Sequence, residues 1–240
     1  MKVRLDRLLV ERGLAESREK AQALIMAGEV RVDGQKAAKP GHTVSADCTV
    51  EVTARPPYVS RGGLKLAAAL REFAIDVAGK VCLDIGASTG GFTDCLLQAG
   101  ASRVYALDVG SGQLAWSLRT DPRVVVIENA NARELSAAAI GDPADVITCD
   151  VSFISVTLIL PAAVPLLRPG GQMVILIKPQ FEVGKGQVGK GGIVREPELH
   201  RAACERVTQA VQGFGFETAI MDSPILGAEG NKEFLLYAHH

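Results

Sequence analysis

Residues 81–92 read Val-Cys-Leu-Asp-Ile-Gly-Ala-Ser-Thr-Gly-Gly-Phe, an apolar run that leads directly into a glycine-rich turn. The run predicts a buried strand, and the glycines predict a tight turn at the start of a helix. Ligands of doubly wound α/β sheets bind at turns of this kind. The stretch therefore predicts an α/β fold with a ligand site at the end of this strand.

Strand and helix patterns alternate around this stretch, from residue 60 onward. Besides 81–85, strands are predicted at 103–109, 124–128, 145–150 and 173–178, and helices at 63–74, 91–99, 112–119, 155–167 and 197–213. This alternation is typical of a parallel sheet covered by helices on both faces. Two late strands, 216–221 and 233–238, have no helical pattern between them and predict a hairpin at one sheet edge.

The first 54 residues follow a different pattern. Leu5, Leu8 and Leu9 share one face of a first helix, and Ser17 caps a second helix that ends near Gly28. Short strands at 30–32, 35–37 and 49–52, with an Asp-Gly turn between the first two, predict a small antiparallel sheet. We expect a small α+β domain at 1–54, a proline-containing linker at 55–59 and the larger α/β domain at 60–240.

The composition excludes several classes of protein. With 240 residues, 48% hydrophobic and 22% charged, the chain is too apolar for a disordered tail. Its longest apolar stretch, 154–167, contains two prolines and is shorter than the roughly 20 residues of a membrane helix. The N-terminus has no export signal. Five cysteines without a CxxC pair favour reduced thiols, so we expect a cytoplasmic protein without a disulfide framework, a membrane partner or an obligate metal.

The net charge of −1 conceals an asymmetry along the chain. Residues 1–65 contain 12 Lys and Arg against 8 Asp and Glu, whereas the remainder contains 14 against 19. A basic first part predicts contact with a polyanion such as nucleic acid. Chance clustering of solvated charges is the alternative that charge alone leaves open.

The spacing of the glycines restricts the ligand. A dinucleotide fingerprint needs glycine where Ser88 stands, and a Walker loop needs lysine where Phe92 stands. S-adenosylmethionine needs neither, and Asp108, which follows Asp84 by 24 residues, lies where its ribose requires an acidic acceptor. We expect S-adenosylmethionine as the cofactor, with a plain tight turn as the alternative. The predicted contacts are Asp84, Gly86, Ser88, Gly90, Gly91, Phe92, Asp108 and Asn131.

Two other segments imitate known motifs. Residues 184–190 satisfy G-x-x-x-x-G-K, but Gly191 stands where a nucleotide site needs a hydroxyl for magnesium. We interpret this loop as a lysine-bearing segment that touches RNA phosphate. Pro56-Pro57-Tyr58 resembles part of the Asn-Pro-Pro-Tyr tetrad of amino-methylating enzymes, yet Arg55 precedes it and it lies before the glycine turn. Base methylation is therefore disfavoured.

Charged residues stand at the ends of several apolar strands. Asp150 and Lys178 end two of them, Glu233 opens the last one, and Lys65 lies on the first helix of the larger domain. The carboxyl ends of parallel strands converge on the site. A ribose hydroxyl must lose its proton as it attacks a methyl-sulfonium, and a partly desolvated lysine beside another lysine can act as the base. The alternative is that these residues are ordinary solvated strand ends.

Whole motifs in this chain resemble known families. Residues 5–52, with Ser-Arg-Glu-Lys-Ala at 17–21 and Val-Arg-Val-Asp-Gly at 30–34, resemble the S4 RNA-binding domain. Four further motifs, in this order, resemble the TlyA/hemolysin A family. They are Ser-Arg-Gly-Gly-Leu-Lys at 60–65, Asp-Ile-Gly-Ala-Ser-Thr-Gly-Gly-Phe-Thr at 84–93, Cys-Asp-Val-Ser-Phe-Ile-Ser at 149–155 and Lys-Pro-Gln-Phe-Glu at 178–182.

The resemblance implies a Rossmann-like, FtsJ-type methyltransferase domain after the S4-like domain. It implies 2'-O-methylation of cytidine in large-subunit ribosomal RNA, and in longer family members also in small-subunit RNA. The Lys-Asp-Lys-Glu tetrad of that class falls on Lys65, Asp150, Lys178 and Glu233. The expected partners are ribosomal RNA or ribosomal subunits, and the expected RNA contacts are Arg4, Arg7, Arg18, Lys20, Arg31, Lys36 and Arg61.

The chain departs from some relatives at the linker. Some relatives carry Arg-x-Trp-Val there, whereas this chain has Pro-Pro-Tyr-Val at 56–59. This difference is an argument against control of cofactor affinity by the linker. Two other functions stay open as alternatives. One is a membrane-active hemolysin, and the other is a ribosome-assembly factor that binds RNA without catalysis.

Overall fold

The computed structural model describes residues 2–37, 39–53, 57–227 and 230–240. Backbone proximity divides the chain into a first unit, residues 1–56, and a second unit, residues 57–240. Residues 54–56, which include the start of the predicted linker, lie outside the described residues. The linker and the domain boundaries based on it remain predictions.

The first unit contains two helices and two small sheets. Helices α1 (Leu5–Glu11) and α2 (Arg18–Met26) pack their apolar residues against strands β2 (Val30–Val32) and β5 (Val50–Val52), which form an antiparallel sheet with β3 (Gln35–Lys36). Ser17 caps α2 as predicted, because its hydroxyl accepts a hydrogen bond from the Lys20 N–H. The predicted α+β character is confirmed.

A second sheet in this unit was not predicted. Strands β1 (Lys2–Arg4) and β4 (Thr43–Ser45) pair in antiparallel register. β1 leads directly into α1 at Leu5, so no turn residue marks the boundary between this strand and the helix in the sequence.

The second unit is built on a mostly parallel sheet of seven strands. Its strands are β6 (Val81–Ile85), β7 (Arg103–Leu107), β8 (Val124–Ile127), β9 (Ala144–Cys149), β10 (Leu167–Ile177), β11 (Glu217–Asp222) and β12 (Phe234–His239). Their order across the sheet is β11-β12-β10-β9-β6-β7-β8. The predicted late hairpin is confirmed, because β12 runs antiparallel to both β10 and β11.

Helices cover both faces of this sheet. On one face lie α3 (Gly62–Glu72), α4 (Gly91–Gln98) and α5 (Trp116–Arg119), which share a buried core with one side of the strands. On the other face lie α6 (Leu160–Ala163) and α8 (Pro197–Gln212), while the short α7 (Pro179–Glu182) follows β10. The predicted α/β fold with a covered parallel sheet is confirmed.

Two predicted helices are wrong in extent. The helix predicted at 155–167 is broken into a 3-10 turn at Val156–Leu158, α6, and a second 3-10 turn at Val164–Leu166. Pro161 and Pro165 have no N–H to donate, so a continuous helix cannot form there. The helix predicted at 112–119 is reduced to α5, because Gly112 adopts a left-handed conformation, with φ at +70°.

Among the helices in the described parts of the chain, none combines the length and the apolar character that a membrane crossing requires.

Candidate active site

Four charged residues reach the same edge of the large sheet by different routes. Asp150 follows β9 and Lys178 follows β10, both at the carboxyl ends of parallel strands. Glu233 directly precedes β12, and its strand runs antiparallel to β10 with Phe234 opposite Ile177. The start of β12 therefore lies at the edge where β10 ends. Lys65 comes from the first turn of α3.

These four residues form two ion pairs. Lys65 Nζ lies 2.5 Å from Glu233 Oε2, and both side chains are buried. Lys178 Nζ lies 2.6 Å from Asp150 Oδ1 and donates a hydrogen bond to Ser152 Oγ over 2.9 Å. The contact with Asp150 Oδ1 is an ion pair without hydrogen-bond geometry, since this buried oxygen has no donor among the described residues. Each lysine of the predicted tetrad is thus held by one of its two acids.

A cavity of about 410 Å³ joins the two pairs to the glycine turn. Lys65 and Asp150 line it directly, and Glu233 and Lys178 reach it through their ion pairs. The predicted cofactor contacts among its lining residues are Gly86, Ser88, Gly91 and Phe92. The structure therefore brings the predicted tetrad and the glycine turn together around one opening.

The glycines of this turn are required by close contacts within the protein itself. Gly86 has φ at +87°, and a Cβ built on it would lie 2.5 Å from the Asp150 carbonyl oxygen, so a larger residue does not fit. A Cβ on Gly91 would lie 2.2 Å from Ser60 Oγ, and Gly90 has φ at +100°. Ser88 also adopts a left-handed conformation, with φ at 48°. The backbone path of the turn therefore depends on glycine, and it places Gly86, Ser88 and Gly91 in the wall of the first cavity.

Asp84 does not face this opening. Its side chain is completely buried and accepts hydrogen bonds from Thr93 Oγ1 over 2.7 Å and Thr148 Oγ1 over 2.9 Å. Burial raises the pKa of Asp84 to about 6, although both hydroxyl donors oppose the shift. The side chain fastens β6 to α4 and β9 below the glycine turn, and a cofactor contact through the backbone near Asp84 stays a prediction.

Asp108 lies at the end of β7, as predicted, but its carboxylate is already engaged. Oδ2 accepts from the Ser88 N–H over 2.8 Å, and Oδ1 accepts from the Gly110 N–H over 2.7 Å. A carboxylate oxygen can accept more than one hydrogen bond, so both oxygens can still receive a ribose hydroxyl. Asp108 thus both shapes the glycine turn and presents an acid to a neighbouring ligand.

A second cavity of about 520 Å³ extends from the glycine turn past Asp108. It shares Gly86, Ser88 and Asp150 with the first cavity and also reaches Asn131. The Asn131 amide is used locally, since Nδ2 donates to Glu134 Oε1 and Oδ1 accepts from the Arg133 N–H. The shared residues make the two cavities one continuous cleft along the glycine turn.

Two functional side chains were missed in the sequence, although both lie inside motifs quoted there. Ser152 holds Lys178, as described above. Glu182, at the end of α7, is buried and accepts from the Ser155 hydroxyl over 2.5 Å and from the Val156 N–H over 2.8 Å. Burial raises the pKa of Glu182. This carboxylate ties the segment after Lys178 to the segment after Asp150.

Phe153 lies between these anchored positions and is exposed. Its side chain is 91% accessible, its φ is 66°, and it lines the second cavity. The ring of Phe181 is 5.3 Å away between centroids, at an interplanar angle of 53°. An aromatic surface next to the cleft is a place where a nucleotide base can stack.

The predicted RNA contacts of the first unit are only partly brought together. Arg4 donates two hydrogen bonds to Asp6, and Arg18 donates one to the same carboxylate over 3.0 Å. The Arg4 guanidinium holds the pKa of the buried Asp6 far below its usual range. Gln22 completes this cluster with a 2.9 Å hydrogen bond to Asp6. The cluster fixes two guanidinium groups on one part of the surface.

The remaining predicted RNA contacts lie separately. Arg7 pairs with Glu11, Lys20 with Glu16, and Arg31 donates to the Gly34 carbonyl. The Lys36 side chain packs over Gly28. In the second unit, Arg61 borders the first cavity and donates to the Leu226 carbonyl over 2.6 Å.

The thiols and the metal-binding side chains offer no further site within the described residues. The five cysteines are free, and burial raises the pKa of Cys82 and Cys95 to about 12. No group of His, Cys, Asp and Glu in the described ranges has the arrangement of a metal site.

Comparisons with known proteins agree with this geometry. The sequence profile of FtsJ-like methyltransferases matches residues 58–240, and that of the S4 domain matches residues 3–49. The chain is 51% identical over 239 residues to the 16S/23S rRNA (cytidine-2'-O)-methyltransferase TlyA of Mycobacterium tuberculosis, which covers 98% of this chain and 89% of that protein. It is 47% identical to Hemolysin A of Brachyspira hyodysenteriae, over 98% of this chain and 99% of that protein.

A solved structure supports the same relationship. A hemolysin-named protein from Streptococcus thermophilus superposes with a TM-score of 0.76 at 44% sequence identity, covering 99% of this chain and 88% of that one. The glycine-turn cleft, the paired tetrad and these matches lead to one conclusion: the chain belongs to the FtsJ-like methyltransferase family, in the S4-bearing group that includes the TlyA and hemolysin A relatives.

Proposed function

We propose that this protein methylates the 2'-hydroxyl of cytidine in ribosomal RNA, with S-adenosylmethionine as the methyl donor. The observation that carries the proposal is the arrangement of two lysine–carboxylate pairs around one cavity beside the glycine turn. The activity named for the mycobacterial relative supports the substrate class. Because ribosomal RNA is the substrate, we place the reaction in the cytoplasm.

The cleft fits the proposed cofactor. Gly86, Ser88 and Gly91 line the first cavity, and Asp108 and Asn131 border the part of the cleft beyond the turn. We assign the amino-acid end of the cofactor to the glycine turn and its ribose hydroxyls to Asp108. S-adenosylmethionine supplies an electrophilic methyl group on a sulfonium when it is bound.

Lys178 is the proposed general base. Its Nζ accepts the proton of the 2'-hydroxyl, and it is held by the Ser152 hydroxyl and by the carboxylate of Asp150, a residue that lines the cleft. Lys65 lines the same cavity, and Glu233 fixes its direction through the 2.5 Å contact. A desolvated site that presents these groups in fixed positions needs no rearrangement at the moment of reaction.

The substrate RNA requires a binding surface as well as a catalytic cleft. We assign base stacking to Phe153, whose exposed ring borders the cleft beside Phe181. In the first unit, the Arg4 and Arg18 guanidiniums, both held by Asp6, are the proposed phosphate contacts. Arg61, at the edge of the cavity, is the corresponding cation of the second unit.

The direct test is methyl transfer with tritium-labelled S-adenosylmethionine. Separated large subunits, small subunits and protein-free ribosomal RNA are each incubated with the protein, and the labelled nucleotide is mapped by its resistance to alkaline hydrolysis. Label on the ribose of a cytidine supports the proposal. Label on a base, or cofactor binding with no transfer to any of these RNAs, contradicts it.

A further inference from the structure

Asn231 is a buried amide in the second unit that uses both of its polar atoms. Its side chain is 1% exposed. Oδ1 accepts from the Val194 N–H over 2.9 Å, and Nδ2 donates to the Gly192 carbonyl oxygen over 2.9 Å. Both partners belong to the backbone of one short segment. The amide therefore holds this segment at two adjacent points.

The segment that Asn231 holds is residues 189–194, here called the 189–194 turn, which is separate from the glycine turn that contains Gly86. The Gly189 N–H donates to the Ile193 carbonyl over 3.1 Å, and the Gly192 N–H donates to the Gly189 carbonyl over 3.1 Å. Gly191 and Gly192 have φ at +79° and +76°. These two backbone hydrogen bonds close the turn. Asn231 attaches it to the rest of the second unit through Gly192 and Val194.

Asn231 also belongs to the connection that carries Glu233. Within this connection, the Asn231 carbonyl accepts from the Gly227 N–H over 2.9 Å, and the Glu233 carbonyl accepts from the Ser223 N–H over 2.9 Å. A Cβ on Gly227 would lie 2.5 Å from Glu233 Oε1, so the glycine backbone lies directly behind this carboxylate. Asn231 therefore connects the 189–194 turn to Glu233, the acid that holds Lys65.

The turn carries positive charge toward solvent. Lys190 lies in the turn and Arg195 follows it, and both residues are exposed. Neither side chain has an ion-pair partner within the residues that the structure describes. Exposed cations without an ion-pair partner suit contact with the phosphate oxygens of RNA.

The asparagine side chain meets both demands at this position. The Gly192 carbonyl can only accept, and the Val194 N–H can only donate, so the side chain must offer one donor and one acceptor at short reach. An aspartate keeps the acceptor but places a second oxygen against the Gly192 carbonyl. A leucine leaves both backbone groups buried without a partner.

We propose that Asn231 is a positioning residue that couples a phosphate-binding turn, residues 189–194 with Arg195, to Glu233 of the tetrad. Binding of the RNA backbone at Lys190 and Arg195 then helps to fix the Lys65–Glu233 pair against the target ribose. This inference rests on the proposed function, because it assigns part of the RNA-binding surface of the same site.

The test is a mutant cycle with RNA affinity and single-turnover methyl transfer as readouts. Asn231→Asp is compared with the double variant Lys190→Ala/Arg195→Ala and with the combination of all three. Asn231→Asp is expected to lower the rate at saturating RNA about tenfold or more, with cofactor affinity unchanged. The turn double variant is expected to weaken RNA binding about tenfold and also to lower the rate at saturating RNA. When Asn231→Asp is already present, the turn double variant is expected to weaken RNA binding less than about half as much as it does in the wild-type background.

The matched control is Gln212→Glu, which adds the same single negative charge at the end of α8, where Gln212 contacts Thr218. This variant is expected to behave as the wild type. If Asn231→Asp does not bind cofactor and hence has lost its fold, the turn double variant decides alone. A reduced rate at saturating RNA supports the coupling, whereas a change confined to RNA affinity overturns it.

Failure of this inference and failure of the proposed function are distinguishable. If the wild type binds cofactor but transfers no methyl group to ribosomal RNA, the proposed function fails, while the affinity part of the cycle still tests the coupling. Strictly additive losses of RNA affinity from the turn and from Asn231→Asp overturn the positioning role.

Discussion

Lys65 Nζ lies 2.5 Å from Glu233 Oε2, although 168 positions separate the two residues in the chain. Lys65 is on the first helix of the second unit, and Glu233 opens its last strand. Both side chains are buried, so removal of either one leaves an uncompensated charge in the interior. The pair therefore serves the site only when both ends of the second unit are in place.

Replacement of Lys178 tests whether this residue is a base or only an electrostatic support. Lys178→Ala is expected to abolish methyl transfer with cofactor affinity nearly unchanged, since its role belongs to the transition state. Lys178→Arg is also expected to fail, because a guanidinium does not give up its proton. The measurement is single-turnover transfer together with calorimetry of cofactor binding. Near-native transfer by the Arg variant contradicts the assignment of Lys178 as the base.

Replacement of Asp108 tests the cofactor site. Asp108→Ala is expected to weaken binding of S-adenosylmethionine by about 1.5–3 kcal/mol, because charged hydrogen bonds to the ribose are lost and the Ser88 N–H loses its acceptor. Calorimetry measures the change. Asp142→Ala, which removes an exposed acid paired with Arg103, is the control and is expected to bind as the wild type. Unchanged affinity in the Asp108 variant refutes the assignment.

Removal of the first unit tests its role in RNA binding. Each unit has its own buried core, so a chain of residues 57–240 is expected to fold and to bind cofactor. It is expected to lose affinity for ribosomal subunits, and the full chain is expected to bind them with a strong dependence on salt, as phosphate contacts require. Filter binding at several salt concentrations measures both. Methylation of subunits by the shortened chain at the full rate contradicts this prediction.

The Asp6 cluster makes a prediction about stability and pH. The pKa of Asp6 is far below its ordinary value, chiefly because of the hydrogen bonds from Arg4, so its ionised form stabilises the folded first unit. This contribution is present above the ordinary pKa and is lost as the pH falls toward the folded pKa. Asp6→Asn is expected to cost about 1–3 kcal/mol at pH 7, and less in acid. Urea unfolding of the wild type and the variant, at pH 7 and in acid, measures this loss of stability. An equal loss under both conditions would contradict a stabilising role of the ionised Asp6.

Asp84 makes the opposite prediction. Burial raises its pKa to about 6 in the folded protein, so the folded state holds the proton more tightly than the unfolded state does. Stability from this group therefore decreases as the pH rises from about 4 to 6 and is constant above that range. Asp84→Asn cannot ionise, so its melting temperature is expected to rise relative to that of the wild type between pH 4 and 7. A constant difference across this range would show that Asp84 has an ordinary pKa.

The sequence predicted the framework of the site because that framework depends on local patterns. The apolar run ending at Ile85 followed by Gly86 is enough to predict a strand and a tight turn, and the structure confirms both, while ligand binding at the turn stays a prediction. Charged residues that follow apolar strands, such as Asp150 and Lys178, are also visible as patterns. Their meeting follows from the sheet order, in which β9 and β10 are neighbours.

Other features depend on contacts that the sequence does not display. The sequence places Asp84 at the cofactor turn, but it does not show that the register opposite Thr148 on β9 directs the Asp84 side chain to a hydroxyl partner in the core. Glu182 and Ser152 lie within recognised motifs, yet their roles depend on how two loops meet in space. Which acid holds which lysine, Asp150 for Lys178 and Glu233 for Lys65, likewise appears only in the folded chain.

The position of β12 between β10 and β11 has a consequence for the order in which the protein matures during synthesis. A growing chain that has passed β10 already contains the glycine turn, Asp150 and Lys178, but it lacks the carboxylate that neutralises Lys65. The second unit therefore completes its group of four charged residues only with its last hairpin, after strands β6 to β10 have been made.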